Sequence, residues 1–385
     1  MKGDFWRFLA FWNFIFHKAK LLQRLEFGHY LGFVISDLGF RIQFFLCVLC
    51  VLCGDNDFDL SKRVPMKKAF QPLSLEGLKT TSIRKRKSLV RVNDFARPIP
   101  ARSSFKNFSR SLPDILAAKD FKEVVGRMVK AHRGGKPVIL GMGAHPIKVG
   151  LSPLIIHLME RGVFQAVAMN GAGIIHDFEI ALAGQTSEDV SAEIGRGAFG
   201  MAEETGRMIN EAINGGWKKG WGIGRSVGEM IWKGPFAQRK MSITAAGVRL
   251  GIPVTVHVAI GTDIIHMHPQ ARGEATGGGS HRDFRLFAGV VSRLEGGVYL
   301  NLGSAVILPE VFLKALTLVR NLGYRVKNFT TVNMDFIPHY RPLTNVVRRP
   351  TRSGGKGFHL TGHHEIMFPL LTAAILEEIP PRRGR

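Results

Sequence analysis

Cysteine is nearly absent from this chain of 385 residues, which has only three. Such scarcity excludes a fold that is held together by several disulfides. Acidic side chains are also few, with 30 Asp and Glu against 53 Lys and Arg, and the formal net charge is +23. An excess of positive charge on this scale favours an anionic partner, such as a nucleotide, a nucleic acid or an acidic membrane surface.

Long apolar runs are also missing. The run from Ile42 to Cys53 is 12 residues long and contains Gln43, whereas a transmembrane helix needs about 20 apolar residues. Asp37 and Arg41 interrupt any longer frame. The run also begins too far along the chain for the apolar core of a signal peptide. We therefore expect a cytoplasmic protein that does not depend on a membrane.

Residues 1–65 differ in composition from the rest of the chain. They hold 14 of the 36 aromatic residues and all three cysteines, Cys47, Cys50 and Cys53. The cysteine spacing could suggest a metal or redox site, but no fourth ligand or nearby histidine accompanies it. The segment could be a membrane anchor, an irregular extension or the product of a misplaced start codon. Our hypothesis is the third, in which the working protein begins at Met66.

The remaining positive charge is unevenly distributed. Residues 66–135 carry 17 Lys and Arg against 5 Asp and Glu. We interpret this stretch as a solvated arm that packs on a neighbouring subunit, since no nucleic-acid-binding motif accompanies the charges. The predicted organisation is an extension, a basic arm, a catalytic domain and a basic tail, at residues 1–65, 66–113, 114–379 and 380–385.

Apolar strands alternate with amphipathic helices from about residue 114 onward. The predicted strands are Pro137–Leu140, Phe164–Met169, Pro253–Ala259, Gly297–Leu302 and Tyr324–Val332. Helices are predicted between them, and a closing helix at Glu365–Glu378. This alternation is typical of a parallel sheet covered on both faces. The predicted fold is α/β, with a Rossmann-like, doubly wound, mostly parallel sheet in a single large domain that carries an N-terminal extension.

Polar and glycine-rich segments follow several of these strands. They include Gly141 to His145, Asn170 to Asp177, Gly261 to His268, Asn301 to Ser304 and Asn333 to Asp335. In a parallel sheet, ligands bind at the carboxyl ends of the strands. Glycine also lets backbone N–H groups approach a phosphate closely. A single Gly-x-Gly is weak evidence because tight turns need glycine, but five such ends together predict a nucleotide crevice.

Histidine is concentrated late in the chain, with eight of the fourteen beyond residue 256. The segments His266 to His268 and His363 to Glu365 each contain two histidines, which raises the possibility of a metal-dependent hydrolase. Neither has the His-Glu-x-x-His spacing of a zinc helix. We predict no metal site, and expect hydrogen-bonding, acid–base or helix-start roles instead.

Lys356 lies in a glycine-rich loop, Thr351 to Phe358. A lysine that is desolvated in a closed pocket has a lowered pKa and can form an imine. A flexible basic loop is the alternative. The loop lacks the Ser or Thr that follows the lysine of a phosphate-binding P-loop.

Taken together, these motifs resemble the deoxyhypusine synthase family, in its bacterial deoxyhypusine-synthase-like branch. The resemblance extends from about Phe95 to Ile379. It rests on Asn170 to Asp177, on Ile260 to Asp263 and on Gly354–Lys356 followed by Glu365 to Leu371. It implies bound NAD, a homotetramer with active sites between subunits, and Lys356 as the lysine that forms an imine with an aminobutyl group.

Several departures from the family pattern affect the substrate. The paired acids that precede Asp177 in the family are replaced by Ile175 and His176. The family's acidic stretch upstream of the lysine is replaced here by Arg341 to Pro350, and a later acid by His363–His364. A polycationic amine needs carboxylates around it. The fold and nucleotide binding are therefore expected to carry over better than the substrate.

The leading hypothesis is a deoxyhypusine-synthase-like transferase that uses NAD to oxidise an amine substrate and transfers an aminoalkyl group through a lysine imine. Its predicted catalytic residues are Lys356, His176, His266 and Asp177. Its predicted cofactor-binding residues are Gly141, Gly143, His145, Asn170, Gly171, Gly173, Asp263, Gly303, Ser304, Asn333, Asp335 and His363. The partners would be a small amine or anionic substrate, an unknown acceptor protein and further copies of the chain. The alternatives are a non-catalytic relative that binds an anion and a metal-dependent hydrolase.

Overall fold

A computed structural model describes residues 71–380 of the chain. The predictions for residues 1–65, including the three cysteines, and for most of the C-terminal tail therefore lie outside the described residues. The chain divides into two compact units, one ending at Arg86 and one beginning at Lys87. Of the first unit, residues 71–86 consist of turns and irregular chain with exposed side chains.

The second unit is built on one sheet of six parallel strands, in the order β3-β2-β1-β4-β5-β6. The strands are β1 (Val138–Met142), β2 (Ala166–Asn170), β3 (Val254–His257), β4 (Val298–Leu302), β5 (Thr330–Asp335) and β6 (Lys356–Thr361). This is the strand order of a doubly wound dinucleotide-binding sheet. The predicted α/β, Rossmann-like fold is confirmed.

Helices follow each strand and cover both faces of the sheet. They are α1 (Phe105–Ser111), α2 (Leu116–Arg133), α3 (His145–Lys148), α4 (Ser152–Glu160), α5 (Gly171–Ala183), α6 (Val190–Glu193), α7 (Glu203–Lys218), α8 (Ile223–Lys233), α9 (Ile243–Leu250), α10 (Gly273–Val291), α11 (Ile307–Asn321), α12 (Tyr340–Pro342), which continues as a π-helix at Leu343–Arg348, and α13 (His364–Glu378). Short polar side chains begin several of them. Asn170 caps α5 by accepting from the backbone of Gly173, and Ser242 caps α9 by accepting from Ala245.

The side chains of the strands alternate between two buried clusters. Leu140 and Val167 point into the larger cluster, with α2, α4, α5, α7, α8, α9 and α13, whereas Ile139 and Tyr299 point into the smaller cluster, with α11 and most of α10. Burial on both faces explains why the strands are continuous apolar runs rather than alternating ones. Tyr299 is fully buried and stacks on Phe312, with ring centroids 3.8 Å apart.

The outer edge of β3 is covered by side chains from α10. Asp283 accepts a hydrogen bond from the backbone of Val256 at 2.9 Å and another from Gly224 at 3.0 Å. Ser280 accepts from the backbone of Val258 and donates to the carbonyl of Val256. These contacts satisfy backbone groups that an edge strand otherwise leaves open to another chain.

The main errors of the sequence prediction concern β5 and β6, the last two strands of the sheet. Tyr324–Val332 was predicted as a strand, but β5 begins only at Thr330 and runs on to Asp335. Residues 324–329 form an irregular connection, in which Val326 and Phe329 are buried and the other residues are exposed. β6 was not predicted, since its exposed ends and single buried pair, Phe358 and Leu360, give a weak strand pattern.

No helix within residues 71–380 combines the length and the apolar character that crossing a bilayer requires.

Candidate functional site

The topology places a crevice between the carboxyl ends of β1 and β4. After β1 the chain turns to α4 on the larger cluster, and after β4 it turns to α11 on the smaller one. Because neighbouring strands send their connections to opposite faces, the loops separate at this point, which is where dinucleotides bind in such sheets.

Two glycines let the loops of this crevice meet. A side chain on Gly143 would come within 2.3 Å of the carbonyl oxygen of Gly303. Gly303 has a φ of +62° and lies under the ring of His364, which a side chain would approach to 2.5 Å. Ser304 is buried, and its hydroxyl accepts from the backbone of Leu308 at the start of α11. Backbone groups, rather than side chains, therefore form the floor of the crevice.

A buried polar row lies one step below that floor. Asn301, Asn333 and His359 are register partners on β4, β5 and β6. Asn301 donates to Asn333 at 2.7 Å, and Asn333 lies 3.0 Å from Nδ1 of His359. Gly141 completes the row on β1, where its missing side chain leaves room for the ring of Tyr299. This network fixes the strand ends that carry the crevice.

His364 is the most unusual group in the crevice. It is fully buried at the first position of α13, yet neither ring nitrogen makes a hydrogen bond within the described residues. Its Nε2 lies 3.5 Å from Oδ1 of Asp335, and its ring lies 5.1 Å from that of His145. An unpaired polar group in a buried position is costly in free energy. We interpret it as a group held ready for a ligand.

Aromatic rings form the outer wall of the crevice. Phe336 packs 5.5 Å from both His145 and His364, and it stacks parallel to His363 at 6.1 Å. Phe336 is 40% exposed, and the side chain of His363 is 70% exposed. These two rings offer a flat surface at the mouth of the crevice.

Three histidines on the carboxyl side of the sheet have lowered pKa values. Burial lowers the pKa of His145, and the neighbouring His364 lowers it further. Burial also lowers the pKa of His359, and it lowers the pKa of His176 to about 4 with a further contribution from Lys148. A neutral imidazole can accept a proton at neutral pH. His145 is therefore a potential base in the crevice, and His176 is one on α5.

A second group of predicted residues meets at the start of α5. A side chain on Gly171 would reach within 2.0 Å of the carboxylate of Asp263, and Gly173 packs against Met169. Burial raises the pKa of Asp263, whose Oδ2 has no hydrogen-bond partner among the described residues. His266 accepts from the backbone of Gly261 through Nδ1, and its Nε2 lies 4.0 Å from Oδ2 of Asp263.

Asp177 is buried, and its hydrogen-bond partners are other residues of the protein. It is 1% exposed, and its carboxylate accepts hydrogen bonds from the hydroxyls of Ser242 and Thr244 and from the backbones of Ile243 and Thr244. Burial raises the pKa of Asp177, and these hydrogen bonds offset part of the effect. The carboxylate joins α5 to the start of α9 and has no free oxygen to offer a substrate.

His176 belongs to a chain of polar side chains. Its Nδ1 lies 2.6 Å from the hydroxyl of Thr186, which donates to Glu179. Glu179 also accepts from Thr205 at 3.2 Å. A hydroxyl and a carboxylate behind the ring hold His176 in one orientation, as the partners of a catalytic base do.

Lys356 does not join the other predicted catalytic residues within one chain. It begins β6, and its register partner is Thr330, the first residue of β5. The crevice lies at the other end of these strands, about 17 Å away along β6 at roughly 3.3 Å per residue. Lys356 is 47% exposed at its side chain and pairs with Glu123 at 2.6 Å. The desolvated environment expected for an imine-forming lysine is not present in the isolated chain.

The arginines of residues 341–350 are spread along the crossover from β5 to β6. Arg341 lies 3.4 Å from Glu310. Asn345 also donates to Glu310, at 2.7 Å, and it accepts from Arg349 at 2.8 Å. Arg341 and Arg349 are therefore connected through Glu310 and Asn345.

The structure therefore divides the predicted site into three places. The crevice gathers one set of the predicted cofactor residues, namely Gly143, His145, Gly303, Ser304, Asp335 and His363, with Gly141 and Asn333 beneath it. The start of α5 gathers Asn170, Gly171, Gly173, Asp263 and His266, with His176 and Asp177 further along that helix. Lys356 lies at the amino end of β6, at the opposite end of the strands from the crevice. Within residues 71–380, no three His, Cys, Asp or Glu side chains meet in a metal-binding arrangement.

Sequence reasoning missed two residues of the crevice, His364 and Phe336. His364 follows the exposed His363, and the sequence does not reveal which of two adjacent histidines turns inward. The signal that could have identified it is the helix boundary, since the first residue of a helix after a parallel strand faces the carboxyl edge.

His257, at the end of β3, provides a prediction about acid stability. Burial lowers the pKa of His257 to about 3, against about 6.5 in an unfolded chain. Between these values the unfolded state binds the proton and the folded state does not. The free energy of unfolding should therefore fall as the pH falls, by about 2 kcal/mol from pH 6.5 to pH 5.

Urea unfolding of His257→Gln and of the parent chain at both pH values measures this contribution. Buried Asp283, whose pKa is raised to about 7 by burial, acts in the opposite direction in both proteins and cancels in the comparison. An equal pH dependence of the two proteins would contradict the prediction.

Comparison with known proteins gives similarity in structure but not in sequence. No protein-family model matches this chain, and no curated protein matches it. Solved structures that are similar include the arginine dihydrolase ArgZ of cyanobacteria, at 16% identity over 68% of this chain and 33% of that one, with a TM-score of 0.44.

Two further solved structures are also similar to this chain. A ternary complex of AgrE with ornithine and NAD+ matches at 17% identity over 67% of this chain and 32% of that one, with a TM-score of 0.45. A candidate deoxyhypusine synthase from Entamoeba histolytica matches at 10% identity over 72% of this chain and 94% of that one, with a TM-score of 0.42. This chain spans about a third of the length of ArgZ and AgrE. What it binds is inferred from its own residues.

Proposed function

We propose that this chain is an NAD-dependent enzyme that oxidises a small amine and transfers the resulting aminoalkyl group, as its motifs imply. The observation that carries the proposal is the buried ring of His364, which makes no hydrogen bond within the described residues and lies 3.5 Å from Asp335, above the contact of Gly143 with Gly303. This arrangement lies at the topological switch point of a doubly wound sheet, where a dinucleotide has its usual place.

The residues of the crevice fit a dinucleotide. Gly143 and Gly303 leave a floor of backbone that a side chain would fill. α13 begins at the crevice without a side-chain cap, so its first N–H groups can face a phosphate. Asp335 would accept from a ribose hydroxyl. NAD supplies the oxidising group that takes a hydride from the substrate carbon.

Neutral histidines suit the oxidation of an amine, because the substrate must lose a proton as well as a hydride. His145 lies beside the buried His364, and its lowered pKa keeps it able to accept that proton. His176, oriented by Thr186 and Glu179, is the second candidate base. The shortage of carboxylates around the crevice favours an amine with few positive charges over a polyamine.

The lysine step requires a second copy of the chain. Lys356 and the crevice lie at opposite edges of one sheet, so an imine formed on Lys356 can meet the crevice only if another subunit supplies the lysine. Large apolar side chains are exposed near the crevice, as a subunit interface would require, with Val306 46%, Ile337 47% and Tyr340 71% exposed. We therefore propose a homo-oligomer with shared active sites.

The proposal predicts that the purified protein binds NAD and reduces it in the presence of a small diamine, whose oxidised carbon forms an imine with Lys356 as ammonia leaves. Borohydride, added during turnover, should convert a lysine imine into a stable secondary amine on Lys356. Calorimetry measures binding, absorbance of the reduced nicotinamide measures oxidation, and peptide mass spectrometry locates the adduct. Lys314→Ala, which removes an exposed lysine paired with Glu310, is the matched control for Lys356→Ala.

Mixing two inactive variants tests the shared site. If one subunit supplies the crevice and another supplies Lys356, a mixture of Gly143→Ala and Lys356→Ala subunits should regain part of the lost activity. Failure of the folded protein to bind NAD would overturn the proposal. Binding of NAD with no adduct on Lys356 would remove the transfer step and leave an oxidoreductase.

A further inference from the structure

A second cavity, of about 780 Å³, opens at the amino end of β3. It lies between α8, α9 and α10 and is lined at its floor by Pro253 and Val254, where β3 begins. The nucleotide crevice lies at the carboxyl ends of the strands. The two cavities are therefore on opposite edges of the sheet, and no residue is shared between them.

Close backbone contacts fix the shape of this cavity. A side chain on Gly222 would come within 1.8 Å of the carboxylate of Asp283, and one on Gly224 within 1.9 Å of the carbonyl oxygen of Val254. Asp283 in turn accepts from the backbone of Gly224. The start of α8 is thus held against β3 by contacts that only glycine permits, and the cavity is formed before any ligand arrives.

Three arginines line the cavity, Arg225 from α8 and Arg282 and Arg285 from α10. Arg282 and Arg285 are three positions apart on one helix, so their side chains lie next to each other on its surface. Neither makes an ion pair with another residue of the described chain at salt-bridge distance, and both are exposed. The guanidinium group of Arg225 lies 4.4 Å from the ring centre of Trp221.

Two carboxylates also face this region, and both are already engaged. Glu229 lies 2.7 Å from Lys233 and 3.7 Å from Arg225. Asp283 is 1% exposed, and its Oδ2 accepts hydrogen bonds from two backbone N–H groups. Burial raises the pKa of Asp283 to about 7, which further reduces its negative charge at neutral pH. The field inside the cavity is therefore positive.

We propose that this cavity binds a small organic phosphate, with the phosphate group held by Arg225, Arg282 and Arg285 and the organic part lying against Trp221 and Leu286. Guanidinium groups match the oxygen geometry of a phosphate through paired hydrogen bonds. Leu286 is 47% exposed and Trp221 is partly exposed, so both can cover an apolar group. The volume suits a ligand of nucleotide size.

Titration calorimetry with ADP, glucose 6-phosphate and inorganic phosphate tests the site on the full-length protein. We expect binding by at least one of the two esters, weaker binding of inorganic phosphate, and loss of affinity as salt is raised. The double variant, Arg282→Ala with Arg285→Ala, should lower the affinity for the ester by about 100-fold. This is about tenfold for each charge-assisted contact removed.

Controls separate this site from the crevice and from general loss of charge. Arg293→Ala removes an exposed arginine just beyond the end of α10, outside the cavity, and should leave the affinity unchanged. Gly143→Ala should leave the affinity for glucose 6-phosphate unchanged. Thermal unfolding establishes that each variant is folded. Absence of binding for all three compounds at millimolar concentration, or equal ester affinity in the parent and the double arginine variant, would overturn the proposal, whether or not NAD binds in the crevice.

Discussion

Replacing Gly143 with alanine is expected to lower the affinity for NAD by about 100-fold. The added methyl group would sit 2.3 Å from the carbonyl oxygen of Gly303, a backbone atom that cannot turn aside as a flexible side chain can. The two loops of the crevice must then separate, and the backbone floor that faces the cofactor moves with them. A loss of about 2.7 kcal/mol in binding free energy corresponds to this factor.

Gly289→Ala is the matched control. Gly289 lies in α10, and a side chain there would meet no atom within 4 Å, so the variant should keep its NAD affinity and gain slightly in stability through the higher helix propensity of alanine. Calorimetry with NAD measures both variants, and thermal unfolding reports whether each is folded. Unchanged NAD affinity in a folded Gly143→Ala protein would place the cofactor elsewhere in the molecule.

Replacing Asp177 with alanine is expected to lower the free energy of unfolding by about 3–5 kcal/mol. The substitution leaves the hydroxyls of Ser242 and Thr244 and the backbones of Ile243 and Thr244 without their acceptor in a buried setting. Asp177→Asn should cost less, because the amide keeps one acceptor oxygen. Unfolding in guanidinium chloride measures both changes.

The same experiment decides between a structural and a catalytic Asp177. Asp114→Ala, at an exposed position before α2, is the control and should change stability by less than about 0.5 kcal/mol. If Asp177 acts only on substrate, its removal would abolish turnover and leave stability unaltered. We expect the reverse order, with stability lost first and activity lost as a consequence.

Measurements at the two cavities are informative in combination. NAD carries phosphate groups, so it could in principle occupy the cavity at β3 as well as the crevice. Gly143→Ala weakens NAD binding only if the cofactor lies in the crevice, and the double arginine variant weakens it only if the cofactor lies at β3. If an organic phosphate binds at β3 and NAD binds in the crevice, the double arginine variant should weaken only the binding of the organic phosphate. Gly143→Ala should then weaken only the binding of NAD.

Much of the sheet was predictable because its strands are short apolar runs with glycine or asparagine at the carboxyl end. Asn170 and Gly171 mark the end of β2 and the start of α5 in sequence as well as in structure. The sequence did not predict β6, because only Phe358 and Leu360 are buried in it. An edge strand with one buried pair does not differ in pattern from a loop.

The predicted residues of the crevice were easier to find than the chemistry they perform. Gly143 and Gly303 stand out in sequence because parallel strands end in tight turns. That they touch depends on β1 and β4 being neighbours, which follows from a crossover of more than 150 residues. The hydrogen-bond partners of Asp177 could not be found from the sequence for the same reason, since Ser242 and Thr244 lie 65 and 67 positions away.

The sequence by itself determined the fold class, the carboxyl ends that face the crevice and the shortage of acids around it, because these depend on local pattern and composition. The tertiary structure decided which histidine is buried, that both oxygens of Asp177 accept hydrogen bonds, and that Lys356 begins a strand at the end of the sheet opposite the crevice. These properties depend on burial and on distances between residues remote in the chain. Desolvation and hydrogen bonding, which set the pKa and the reactivity of a side chain, exist only once the chain has folded.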